Sequence, residues 1–211
     1  DLILAIVFNF FSRALSRKTS DSRVNFGQVL QAGIVISDDR LNIQSRHELR
    51  CRLKPTVIPS IGACLVHKIP VSILKNSNKS HYEMVLEHYN LIRDNTPSVV
   101  MGFNQVAFDI EFYRRMLYKS LIPDVYQTNT NGNRHLDILN VSRAAKFVDN
   151  DSIQTILNEK NRDSFKLADL STANKINNGT SHDAITDCLD SIDLAKIIFK
   201  KTNHIWNDAL L

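Results

Sequence analysis

Residues 99–120 read VVMGFNQVAFDIEFYRRMLYKS. Five apolar residues, 99–103, run into the polar pair Asn104-Gln105. Beyond them Phe108, Phe112 and Met116 recur every four residues, with Arg114, Arg115 and Lys119 off that face. A short apolar run closed by a turn predicts a buried strand, and the four-residue recurrence predicts a helix over 108–120. A strand, a turn and a helix that opens with the carboxylate Asp109 make one unit of an open α/β sheet. Such sheets hold ligands just outside the carboxyl ends of their strands. Asp109 has a purely structural reading as well, as an acid at the positive end of the helix dipole.

Upstream, residues 28–37 (QVLQAGIVIS) are β-branched and apolar, and residues 43–54 alternate. Leu49, Cys51 and Leu53 take one side of that second stretch, and Glu48, Arg50, Arg52 and Lys54 the other. Period two with one polar face predicts a half-exposed antiparallel strand. Asp38-Asp39-Arg40 is its turn to the preceding strand, and Pro55 and Pro59 end it. Residues 2–11 (LILAIVFNFF) are too short to span a bilayer, which takes about 20 apolar residues. Arg13, Arg17, Lys18 and Arg23 follow that run, whereas a secretory leader carries its basic residues in front. The run reads as a buried strand.

Downstream, residues 80–94 have helical spacing on Tyr82, Val85, Leu86, Tyr89 and Ile92, with Ser80 and Glu83 placed as a capping box. Residues 128–133 (TNTNGN) are a loop, 136–148 a helix, 149–163 a surface excursion and 165–174 a short helix. Residues 181–201 form the clearest helix, with Ser181 as N-cap and a stripe of Ile185, Leu189 and Ile192. Strands first and alternating elements after them predict an α/β fold on a mixed sheet.

The chain has 211 residues, 26 basic against 22 acidic, and is 43% hydrophobic with 6 Gly and 5 Pro. These figures exclude a disordered or collagen-like chain and fit one domain. A charge of +4 permits a polyanionic partner without demanding one. Cys51, Cys64 and Cys188 are odd in number and far apart, which argues against a disulfide framework or zinc knuckle and for a reducing, cytoplasmic setting.

The stretch 181–190, SHDAITDCLD, carries a second candidate. His182 precedes Asp187 by five residues, about 140° of helix turn. The two share a face only if His182 lies in the loop before the first turn, where it can swing over a metal held by Asp187. The bland alternative is a capped, acid-rich first turn on a solvated face, which also accounts for Asp183, Asp190 and Asp193.

Taken together, GFNQVAFDIEFYRR (102–115), GNRHLDIL (132–139), SFKLADLSTANKI (164–176) and SHDAITDCLDSIDLAKII (181–198) resemble the exonuclease I group of the 3′–5′ exonuclease superfamily. QVLQAGIVISDDRLN (28–42), ELRCRLKPTVIPSIGACLVHKI (48–69) and SHYEMV (80–85) extend the resemblance to roughly residues 26–200. It implies a ribonuclease H-like mixed sheet flanked by helices. It also implies hydrolysis of single-stranded DNA from the 3′ end to nucleoside 5′-monophosphates. In that family two Mg²⁺, which Mn²⁺ can replace, are held by four carboxylates and clamp the scissile phosphate. By the resemblance Asp109 and Asp187 are metal ligands and His182 is the general base. Asn104, Arg143 and Lys166 face nucleic acid, and Asp137 stands behind the site.

The family's first motif, Asp-x-Glu at the end of the first strand, has no counterpart here. If residues 2–8 are the first strand, its positions fall on Asn9 and Phe11. Counted back from Phe26, they fall on Ser16 and Lys18. Neither pair holds an acid, and a lysine beside dications adds repulsion. Two alternatives therefore stand beside a DNA exonuclease: an inactive nucleic-acid-binding module on the same fold, and an exoribonuclease. The expected organisation is a divergent segment 1–25, an exonuclease domain 26–202 and a tail 203–211. Arg114, Arg115, Lys119, Arg143, Lys146 and Lys166 are candidate groove cations, or else a solvated helix face.

Overall fold

The computed structural model describes residues 2–10, 28–57, 70–179 and 183–210. Its strands are β1 (Leu2–Phe10), β2 (Val29–Ser37), β3 (Ile43–Arg50), β4 (Ser98–Gly102) and β5 (Arg134–Asp137). They form one sheet in the order β3-β2-β1-β4-β5. β2 is antiparallel to both β1 and β3, while β4 is parallel to β1 and β5 is parallel to β4. The fold is the mixed, ribonuclease H-like α/β sheet that the sequence resemblance implied.

Both faces of this sheet are covered. On one, β2 offers Leu30, Ala32, Ile34 and Ile36, and β4 offers Val100. They pack on α2 (His81–Asp94) and α3 (Asp109–Lys119) through Val85, Ile92, Tyr113 and Met116. On the other, Ile3, Val35, Val99 and Met101 pack on α4 (Ile138–Val148), α6 (Ala184–Lys201) and α7 (Asn203–Ala209). Burial on both faces is why β2 and β4 read as continuous apolar runs. Two short helices, α1 (Val71–Lys75) and α5 (Leu167–Ala173), complete the α-helices among the described residues, beside a 3-10 turn at Gln127–Asn129.

The β2–β3 hairpin turns where expected. The Asp38 carboxylate accepts from the Arg40 and Asn42 amides at 2.9 and 2.8 Å, and Leu41 takes φ 63°. The capping box at Ser80 and Glu83 is present. Four expectations need correction. Residues 136–137 belong to β5, and the helix begins only at Ile138. On α2 the buried face carries His81, Met84 and His88, while Tyr82 is exposed. Phe108 precedes α3 and is exposed, although its ring meets Phe112 at 4.9 Å. Residues 203–209, expected as part of a tail, form α7, whose Trp206 is 1% exposed and packs edge-on against Phe199. No helix among the described residues is long and apolar enough to cross a membrane.

Candidate active site

Asn104, Asp109 and Asp137 lie at the carboxyl ends of β4 and β5. β4 ends at Gly102, and the chain turns through Asn104 with φ 58°, a left-handed conformation that asparagine tolerates. The Asn104 amide donates to Asp137 Oδ1 at 2.9 Å. The same Asp137 oxygen accepts from the Leu139 amide at 3.1 Å and so caps α4. Gln105 is wholly buried, and its Nε2 donates to the carbonyls of Val100 and Leu136 at 2.7 and 3.1 Å. One side chain thereby ties the ends of β4 and β5 together. The turn is fixed on both sides, and Asp109, the first residue of α3, is held in a buried position at that edge.

Asp187 arrives from the opposite face of the sheet. Asp183 is the N-cap of α6, its carboxylate accepting from the Thr186 amide, and Asp187 is half-buried in the first turn. The start of α6 presses on β2 at Gly33, where a Cβ would lie 2.6 Å from the Ala184 carbonyl oxygen. Beside it Gln31 Nε2 donates to Asp183 Oδ1 at 3.0 Å and to Glu48 Oε1 at 2.8 Å. Gln31 is the register partner of Asn9 on β1, and Gly33 that of Val7. The start of α6 therefore lies over the carboxyl end of β1. β1 runs to Phe10. Phe11, Ser16, Lys18, Ser181 and His182 lie outside the described residues.

Other expectations resolve differently. Asp190 is not on a solvated face: it is buried, accepting from Ser171 Oγ at 2.8 Å and Asn178 Nδ2 at 3.0 Å. Asp193 takes a second bond from Asn178 and pairs with Lys196. Among the groove candidates, Arg114 lies over the Tyr126 ring and Arg115 pairs with Glu111. Lys146 donates to the Asn150 carbonyl. Arg143 stands 5.8 Å over the Phe165 ring, and Lys166 is exposed just before α5. Cys51 and Cys188 are buried thiols outside any disulfide, and burial pushes the Cys51 thiol up to about 11.

No protein-family profile matches the chain. It is 28% identical over 178 residues to the exodeoxyribonuclease I of Buchnera aphidicola from Acyrthosiphon pisum, covering 84% of this chain and 43% of that protein. It is 32% identical over 107 residues to the Haemophilus influenzae exodeoxyribonuclease I, 51% of this chain and 23% of that one. Its fold matches Escherichia coli exonuclease I in complex with a dA16 oligonucleotide at a TM-score of 0.87. That match has 21% identity and spans 98% of this chain and 42% of the other. The chain is similar in sequence and fold to exonuclease I proteins. A zinc-bound E. coli exonuclease I complex with single-stranded DNA matches with a TM-score of 0.86 and 21% identity, over 98% of this chain and 42% of that one. This exonuclease I-like chain spans less than half the length of the relatives it matches.

A hard divalent cation takes about six oxygen ligands, and an all-carboxylate pair site concentrates negative charge. Asp109 opens α3 and Asp187 lies in the first turn of α6, and the sequence has a neutral amide residue, Asn9, near the end of β1. Among the described residues no three His, Cys, Asp or Glu side chains cluster to hold a metal. Sequence reading singled out Asp109 and Asp187 as candidates. It read Asp183 only as a first-turn acid and missed its bond to Gln31, which joins residues 152 apart and leaves no local pattern.

Proposed function

We propose that this chain is the nuclease unit of an exonuclease I-type 3′–5′ exonuclease, that it acts on single-stranded DNA, and that its hydrolysis is slow. The observation that carries the reading is the buried Asp109 that opens α3 beyond the carboxyl end of β4, with the start of α6, and Asp187 in its first turn, packed over β1 and β2. The names of its relatives and the single-stranded DNA in the matching E. coli complexes support it. In this reading His182, one residue before the α6 cap, takes the proton from the attacking water. Asp109 and Asp187 supply the site's negative charge. The Asp137–Asn104 bond sets the turn that presents Asp109.

Slow turnover follows from the incomplete acid set. Losing even about 4 kcal/mol of transition-state stabilisation lowers a rate about 10³-fold. Incubated with Mg²⁺, the protein is expected to shorten a 5′-labelled single strand at high enzyme concentration, and Asp187→Ala abolishes the shortening. Asn9→Asp combined with Phe11→Glu raises the rate at least tenfold. A single strand left intact by both the natural chain and the two-acid variant rejects the enzyme reading. The neutral residue at position 9 favours a second reading in that event, a module that binds single strands without cutting. Its affinity then survives EDTA and falls with salt as counterions are released. An RNA strand shortened in preference to DNA reassigns the substrate.

A further inference from the structure

Two cavities, of about 410 and 510 Å³, share the wall formed by residues 52–55, just past the end of β3. The first reaches His81, Tyr82 and Lys119, and the second continues to Val71 and Lys75. Arg52, Lys54, Lys75 and Lys119 are all exposed at these walls. No Asp or Glu among the described residues lines either cavity. The local field is correspondingly positive. Burial first, and then Lys54 and Arg115, disfavour the charge on Lys119. His81, at the cavity wall, is pulled down to about 4 by burial, with Lys54 and Lys119 adding to the effect. Cations that repel one another across a cavity gain when an anion sits between them.

The placement selects the anion. Arg50 is the register partner of Gln31, and Gln31 that of Asn9, so the chain leaves β3 toward the trough at the same sheet edge as the end of β1. α3 spans the two places, beginning at Asp109 and ending at Lys119. At about 1.5 Å per residue that separation is about 15 Å. This lies within the reach of single-strand sites of about 4–16 nucleotides. Tyr82, 52% exposed at the rim, offers a face on which a base can stack.

We propose that the trough of Arg52, Lys54 and Lys119, continued by Lys75, is a backbone subsite for the single strand 5′ of its reacting end. Phosphates lie against Lys54 and Lys119, and a base stacks on Tyr82. The inference rests on the exonuclease reading above and adds the course of the strand. Fluorescence anisotropy with labelled dT4 and dT12 in EDTA tests it. The variant Arg52→Gln/Lys54→Gln/Lys119→Gln is expected to bind dT12 about tenfold more weakly, with a log-affinity against log-salt slope shallower by about 2. Binding of dT4, which has fewer phosphates to lay in the trough, weakens less than that of dT12. Lys54→Gln alone moves dT12 affinity in the same direction, and Tyr82→Leu weakens dT12 without altering the salt slope. Equal dT12 affinity in the triple variant and the natural chain overturns the subsite while leaving the exonuclease reading intact. A natural chain that binds neither oligonucleotide overturns both. A twelve-residue polyglutamate peptide bound as tightly as dT12 overturns the assignment to nucleic acid.

Discussion

At Gly33 the absence of a side chain is a requirement of packing rather than of backbone conformation. The residue lies within the extended strand β2, and the obstacle to any Cβ is the Ala184 main chain at the start of α6. The Cys188 thiol, one turn further along α6, reaches the Gly33 carbonyl at 3.5 Å. Gly33→Ala should therefore push α6 away from β2 and cost about 2 kcal/mol, the usual scale of overpacking. A urea midpoint lowered with an unchanged slope checks this. The displacement moves Asp183 and Asp187 with the helix, so cleavage or end-binding should weaken beyond what lost stability explains. Gln31 acts on the same point from the side, holding Asp183 from β2 while Glu48 on β3 holds Gln31.

Among the elements, α2 carries an unusual load in two buried histidines. Burial pulls His81 down to about 4 and His88 to about 3, the first helped by Lys54 and Lys119. In the unfolded chain both titrate near 6.5. Between about pH 6.5 and pH 4 the unfolded state thus binds more protons than the folded one. Stability is complete above about pH 6.5 and is lost as the pH falls through that window. Urea midpoints measured from pH 7.5 down to 4.5 should decline steadily, and His88→Phe should flatten the decline. The same helix shows where sequence reading fails. The capping box was legible because Ser80 and Glu83 are three residues apart. The buried face was not, because a neutral histidine packs as an aromatic: His88 lies 4.7 Å from the Tyr113 ring, while Tyr82 turns outward. β5 was invisible for a different reason. Four residues at the sheet edge are held by main-chain bonds to β4, and Leu136 alone of them is buried. In the site, Asp109 and Asp187 stood out through the order of their motifs. The Gln31–Asp183 bond did not, because it is set by tertiary packing.

Over the whole molecule, two apolar layers share one sheet, and each depends on the other's strands. The single tryptophan, Trp206, sits in the layer made by α4, α6 and α7. If the layers unfold as one, its fluorescence and the far-ultraviolet circular dichroism should give coincident urea transitions. Separated midpoints would show that α7 leaves first. The sheet order also constrains how the chain is made. β1 is the central strand and precedes nearly everything else, yet its parallel neighbour β4 follows about ninety residues later, and α6, which covers it, comes near the end. At about 5–20 residues per second of translation, β1 waits roughly 5–20 s for β4 to be synthesised. During that interval the sequence LILAIVFNF has β2 on one edge and nothing native on the other. A nascent chain of this topology is therefore a client for chaperones that shield unpaired strands. Slowing translation between β2 and β4 should lower its soluble yield more than slowing it after α6.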